Sequence, residues 1–207
     1  MIEYKCLERS EEMGKLVIFI GPSSSGKDTI KRRLIKENKF AFKEMIMSTT
    51  RPKRTGEVLG KEYYFKTVEE MLLLEKQGKI IEKRMYNTIY GPWYYFTTSA
   101  NIDLENYNYI GSNTLEGLDQ FIKFYGLENI ISLLIKVDDG IRLQRALDRE
   151  RKEINPKYQE LCRRFLADST DFEEENINKR PITSIINNNS SLDNAIKKVE
   201  KVLKLNL

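Results

Sequence analysis

The sequence predicts an α/β fold, a mostly parallel sheet with helices on both faces, and three observations carry that prediction. Apolar runs of strand length recur, each followed by a stretch of helical period. The first such junction is bounded by glycines, and a central block breaks the alternation. Leu16-Val-Ile-Phe-Ile20 is a continuous apolar run with three β-branched residues, as expected of a strand buried on both faces. It leads through Gly21-Pro22-Ser23-Ser24-Ser25-Gly26 into a helical stretch from Lys27 to Glu37, with Ile30, Leu34 and Ile35 on one face. A weaker strand, Tyr107–Gly111, precedes a helix from Thr114 to Tyr125 that stops at Gly126. Ile130–Val137 is the second clear buried strand, followed by a helix carrying Ile141, Leu143, Ala146 and Leu147. Thr183–Ile186 is the third, followed by a helix to about Leu203. That last helix is expected to start in a capping box at Ser190-Ser-Leu-Asp193, with Asp in place of Glu.

The central block reads as a small mixed lobe inserted into this core. Two strand-like segments, Lys61–Lys66 and Lys79–Tyr86, flank a short helix that Thr67-Val-Glu-Glu70 caps and Gly78 closes. An aromatic strand, Ile89–Phe96, is expected to pair with Lys79–Tyr86 through a turn at Asn87-Thr88. Arg149 to Lys157 is charged and interrupted by Pro156, which suggests a mobile connection between two helices. The whole reads as one domain: core at about 15–48, 97–148 and 176–207, lobe at about 49–96, and a helical segment at about 149–175.

Composition narrows the chemistry. A chain of 207 residues can bury about 70% of its extended surface, enough for a real core. The 35 Lys and Arg against 31 Asp and Glu give a net charge of +4, which suits phosphate-bearing ligands but not a dedicated nucleic-acid binder. There is no histidine, so histidine triads and His-ligated metal sites are excluded. Cys6 and Cys162 have no CxxC spacing, and two unpaired thiols fit a reducing cytoplasm. Met1 to Lys15 lacks the apolar run of a signal peptide, and no apolar run is long enough to span a bilayer. The expectation is a soluble cytoplasmic protein that binds neither membrane nor nucleic acid.

Gly21-Pro-Ser-Ser-Ser-Gly26-Lys27 matches the first seven positions of G-x-x-x-x-G-K-[ST]. Such a loop aims successive backbone N–H groups inward, and the helix behind it adds its dipole; Gly21, Ser23, Ser24, Ser25 and Gly26 would cradle nucleotide phosphates. Lys27 supplies a point charge for the β- and γ-phosphate oxygens. The eighth position is Asp28 instead of a hydroxyl. Its carboxylate is either a hard ligand for Mg²⁺ or simply an acid in the first turn of the helix. Thr29 belongs to the same run but lies one residue too far round the helix to replace the missing hydroxyl.

A second cationic loop, Ser48-Thr-Thr-Arg51-Pro-Lys-Arg54-Thr-Gly56-Glu57-Val-Leu-Gly60, carries Arg51, Lys53 and Arg54, with Lys61 just beyond. Arginine forks match the oxygens of a phosphate monoester, and Tyr63 and Tyr90 could add hydroxyl donors. A loop of this kind beside the first one has an obvious use, to hold a phosphorylated acceptor.

These runs, continued by Tyr63-Tyr-Phe65, by Gly78-Lys-Ile-Ile-Glu82 and by Tyr90-Gly91, resemble the guanylate kinase family over about residues 15–205. The resemblance implies a P-loop core, an acceptor-binding lobe and a helical lid, with ATP and Mg²⁺ as cofactors and conversion of GMP to GDP as the reaction. It implies that Lys27 and the loop amides bind ATP and that Arg51, Arg54, Tyr63 and Tyr90 bind the acceptor's phosphate. Glu82 would read the guanine edge. Arg164, with Arg151 or Arg149, would serve as lid arginines on the transferring phosphoryl group, and Asn187 would make an adenine-side contact. Four positions depart from the family pattern: Met47 and Pro92 where hydroxyl residues are usual, and Ser112 and Thr114 where the family has two aspartates. Thr114 is then the candidate substrate contact of its segment, and Glu82 is the remaining acid for guanine. Asp28 and Gly111-Ser112 also resemble ribose 1,5-bisphosphate phosphokinase, a relative with a base-free acceptor. A third alternative is a non-catalytic guanylate-kinase-like module that binds phospho-ligands. The resemblance implies a monomer or homodimer.

Overall fold

The computed structural model describes residues 13–54, 56–88 and 91–207. In chain order the elements are β1 (Leu16–Ile20), α1 (Lys27–Glu37), β2 (Lys43–Glu44), β3 (Ser48–Thr49), β4 (Tyr64–Phe65), α2 (Val68–Lys76), β5 (Ile80–Thr88), β6 (Gly91–Thr98), β7 (Tyr109–Ser112), α3 (Leu115–Tyr125), β8 (Ile130–Lys136), α4 (Asp139–Glu150), α5 (Tyr158–Asp171), α6 (Glu174–Asn178), β9 (Ser184–Asn187) and α7 (Leu192–Asn206). One sheet runs β2-β7-β1-β8-β9, parallel throughout, and the second runs β4-β3-β6-β5.

The continuous apolar run of β1 has the meaning the sequence gives it. All five residues are buried, and they divide by alternation between two cores. Val17 and Phe19 pack with Ile30 and Leu34 of α1 and with Ile196, Val199 and Leu203 of α7. Leu16, Ile18 and Ile20 pack with Leu118 and Phe121 of α3 and Ile177 of α6. Each such side chain contributes about 1.5–3 kcal/mol by leaving water, so this strand pins both helical layers and with them the loop at its C-terminal end.

The inserted lobe is the second sheet. Its β5 and β6 form a long antiparallel hairpin that pairs from Ile80–Thr98 out to Thr88–Gly91. Asn87 and Thr88 therefore belong to β5 and not to a turn, and β6 carries the lobe on to Thr98. The expected strand over 61–66 shrinks to Tyr64–Phe65, because the chain turns at Gly60 with φ of 77° before it can extend. The capping box at Thr67 and Glu70 is present in full. The start of α7 differs from the expected capping box: Ser191, not Ser190, is the N-cap, and its side chain accepts a single bond from the backbone N–H of Asn194 at 3.3 Å. Among the described residues no helix is long and apolar enough to cross a membrane.

Candidate active site

The glycine-bounded loop leaves β1 with backbone angles that side chains resist. Gly21 and Gly26 have φ of 150° and 91°, and Ser24 takes a positive φ of 63° without being glycine. Strain of this kind typically costs about 1–3 kcal/mol and persists only where surroundings enforce it. At Gly26 the crowding is specific: a Cβ would lie 2.5 Å from Nδ2 of Asn188. That amide donates to the Ser25 carbonyl at 2.8 Å and clamps the loop from the C-terminal end of β9. The hydroxyls of Ser24 and Ser25 are buried without hydrogen-bond partners among the described residues. The backbone N–H of Ser23 donates to Asp168 Oδ2 of α5 at 2.8 Å, so a carboxylate already sits on an amide suited to a phosphate.

Lys27 reaches the Pro22 carbonyl at 3.3 Å. Burial holds its ammonium below the usual lysine range, opposed by the Asp28 and Asp168 carboxylates and reinforced by the Arg149 charge. Asp28 is exposed and accepts from the Ser112 hydroxyl at 3.0 Å, which links the start of α1 to the end of β7. Thr29 is exposed on α1, outside the cavity that Lys27 faces.

That cavity, of about 560 Å³, joins the two halves of the molecule. Gly21, Ser23 and Lys27 line it from the loop, Ser112 and Thr114 from β7 and the start of α3, and Tyr63, Arg84 and Tyr95 from the lobe. A second hollow of about 450 Å³ is lined by Glu82, Arg84 and Thr114. Two of the expected anion-binding arginines stand differently. Arg51 is only 4% exposed; its guanidinium grips both carboxylate oxygens of Glu57 and lies 5.2 Å from the Tyr63 ring centroid. It thus stands behind the cavity wall, its charge held by Glu57 and further favoured by the Tyr95 hydroxyl. Arg54 is exposed, and it is its backbone N–H, at 2.8 Å, that reaches Glu57.

Tyr63 packs edge-on against Tyr95, with ring centroids 5.6 Å apart. Tyr90 lies outside the described residues; Tyr95 is the described tyrosine that stands beside Tyr63 and Arg51. Glu82 is 4% exposed and accepts from the Thr97 hydroxyl at 2.9 Å. A hydroxyl absent at Pro92 is therefore present beside Glu82 on the same strand. Thr114 caps α3, its Oγ1 accepting from Gly117 at 3.1 Å, while its side chain borders both hollows.

Three further expected positions do not line the cavity. Asn187 is exposed and turned to the backbone of Asn189; its neighbour Asn188, 2% exposed, is the one that touches the loop. Arg151 is exposed and pairs loosely with Asp148 at 3.8 Å, whereas Arg149 is near enough to bear on Lys27. Arg164 lies along α5 at 3.8 Å from Glu160 and does not line the cavity. Asp168, Arg84, Tyr95, Thr97 and Asn188 were missed by sequence reasoning. For Tyr95 and Thr97 the period-2 alternation of the aromatic strand could have found them; Asp168 left no local signal, since it meets Ser23 across 145 residues of sequence.

The family model for guanylate kinase matches residues 13–116, half of the chain, which includes the glycine-bounded loop, the arginine loop and the whole second sheet. The chain belongs to the guanylate kinase family. Among curated guanylate kinases, that of Streptococcus agalactiae is 32% identical over 130 residues, 63% of this chain and 56% of the relative. That of Streptococcus mutans is 31% identical over the same extent. The match thus spans little more than half the length of these guanylate kinases. A guanylate kinase crystal structure from Anaplasma phagocytophilum shares the fold, with a TM-score of 0.58 and 21% identity over 93% of this chain and 86% of that one.

Proposed function

We propose that this member of the guanylate kinase family transfers the γ-phosphoryl group of ATP to a nucleoside monophosphate, with GMP as the acceptor. The observation that carries this reading is the shared cavity: Lys27 and the loop amides open onto the same space as Tyr63, Tyr95 and Arg84. Phosphoryl transfer requires two phosphorylated ligands held in line and cations around the transferred group, and no acid–base dyad. An acceptor phosphate oxygen attacks the γ-phosphorus, the bond from that phosphorus to the β–γ bridging oxygen breaks, and ADP leaves.

Each residue's part follows from its place. The loop amides and Lys27 hold the β- and γ-phosphates; for Ser23 this requires Asp168 to give way, because both compete for one N–H. Lys27 donates to phosphate oxygens in place of the Pro22 carbonyl. Tyr63 and Tyr95 offer hydroxyls to the acceptor's phosphate, with Arg51 behind them supplying positive potential while Glu57 fixes its orientation. Arg149 is the lid arginine nearest to Lys27's charge. Glu82, its Oε1 already bonded by Thr97, faces the second hollow, where the acceptor's base would lie.

The donor set suits a hard divalent cation. Among the described residues no group of three or more Cys, Asp or Glu gathers, but Mg²⁺ needs only one or two protein oxygens when phosphates and water complete its shell. Asp28 and Ser112, bonded to each other at 3.0 Å, would hold it; when bound it neutralises charge on the β- and γ-phosphates. Steady-state assays with ATP, Mg²⁺ and GMP, dGMP, AMP or ribose 1,5-bisphosphate test the proposal. Turnover of GMP is expected; turnover confined to the sugar bisphosphate refutes GMP as the acceptor, and an absence of ATP binding refutes the kinase reading.

A further inference from the structure

Arg84 occupies the seam between the two hollows and lines both. Its side chain is 31% exposed, so the guanidinium is part wall and part open to the cavity. What it touches leaves its donors poorly used. Nη2 points at the Met47 thioether, 3.7 Å away, and sulfur is a weak acceptor. Nε lies 3.3 Å from Glu82 Oε2 but is buried without a hydrogen bond, because the angle is wrong for one. Its charge also bears on the Tyr63 hydroxyl, which stands on the acceptor side of the cavity. Among the described residues only sulfur and a misaligned carboxylate stand before this planar fork of donors, which leaves it able to bind a ligand's acceptors.

Its neighbours say what kind of ligand fits. Met47 carries no donor where it meets the cavity, so any acceptor atom of a bound base on that side finds Arg84 instead. Glu82 stands on the other side of the fork, an acceptor for base N–H groups whose negative charge is partly offset by Arg84 itself. The pair presents a donor fork and a carboxylate side by side. A purine with an oxygen at position 6 has the complementary edge: O6 and N7 accept, and N1–H donates. The bidentate fit of arginine to O6 and N7 is the same geometry that reads guanine in nucleic acids. A 6-amino purine turns a donor toward the fork and is repelled.

We infer that Arg84 is a specificity-determining residue that selects 6-oxopurine monophosphates by donating to O6 and N7. This rests on the kinase reading above. It also places recognition chiefly on the 6-oxo group and not on the 2-amino group, so IMP is accepted along with GMP.

The test is an acceptor panel of GMP, IMP and AMP with the native chain, Arg84→Gln and Arg84→Lys, each checked for folding by thermal melting. For the native chain, kcat/KM for GMP and IMP should lie within about fivefold of each other and exceed that for AMP at least tenfold. Arg84→Gln should lose about tenfold or more on GMP and IMP, carried by KM with kcat little changed, while AMP stays as it was. Arg84→Lys keeps the charge without the fork and should fall between the two. Calorimetric titration of GMP into the same variants, without ATP, should show the same order of affinities. An equal loss on all three acceptors, or a large preference for GMP over IMP that Arg84→Gln leaves intact, overturns the inference while the kinase reading stands. A native chain that phosphorylates no purine monophosphate overturns both.

Discussion

Replacing Asn188 by alanine separates support of the nucleotide loop from contact with a nucleotide. The asparagine is 2% exposed, and among the described residues its side chain makes one hydrogen bond, from Nδ2 to the Ser25 carbonyl at 2.8 Å; its backbone bonds to Lys136 and Arg145 do not depend on the side chain. Alanine therefore leaves the Ser25 carbonyl, on a fully buried residue, without its donor, at a cost of about 1–3 kcal/mol. Loss of the buried Asn188 Oδ1, which has no partner, offsets part of this, so a net destabilisation of about 1–2 kcal/mol is expected. For a chain of 207 residues, about 2–4 °C per kcal/mol translates this into a fall in Tm of about 2–8 °C. Because the lost bond holds the loop, affinity for a non-hydrolysable ATP analogue should fall by about 5–30-fold, measured by titration calorimetry. Asn187→Ala is the control: its side chain is exposed and, among the described residues, accepts only from the backbone N–H of Asn189, so it should stay within about 0.5 kcal/mol of native and keep its ATP affinity. If Asn187→Ala weakened ATP binding and Asn188→Ala did not, the clamp would be the wrong account and the exposed asparagine the ligand contact.

Lys27→Ala should lower kcat/KM by about 10²–10³-fold with little change in melting temperature, and unchanged turnover in steady-state assays would contradict the phosphate-binding role. Asp168→Ala removes the carboxylate that holds the Ser23 N–H, so the ATP analogue should bind more tightly than to the native chain; weaker binding would show that Asp168 organises the loop instead of competing for it. Acid should act through Glu57, whose pKa the Arg51 guanidinium and then the Arg54 amide lower from 4.5 to about 2. A depressed carboxyl stabilises the fold above its unfolded pKa, so its contribution is fully present at neutral pH and is lost as pH falls from about 4.5 through about 2. Glu57→Gln should flatten that part of the stability profile followed by circular dichroism, and an unchanged profile would deny the pair this role.

The sequence alone determined the layout of the core. An unbroken apolar run such as Leu16–Ile20 can only be satisfied by burial on both faces, and that requires helices above and below a parallel sheet. The glycine-bounded loop was legible for the same reason of locality: its two glycines and its lysine lie within seven residues, directly between the strand and the helix that flank them. The lobe's existence was legible, but its register was not, because Asn87-Thr88 has the composition of a turn while the pairing of the hairpin carries both residues into β5.

What only the tertiary structure decided is which side chains face the cavity. Asn187 and Asn188 are indistinguishable in sequence; the pleat turns one to solvent and the other onto Ser25. Arg51 and Arg54 have equal charge, yet one is locked behind the wall by Glu57 and the other is left in water. Asp168 and Arg84 gained their places through contacts with Ser23 and Met47 that span 145 and 37 residues. Local chemistry fixes what a segment can become, whereas the direction of a polar side chain depends on packing between segments far apart in the chain, and there the fold decides.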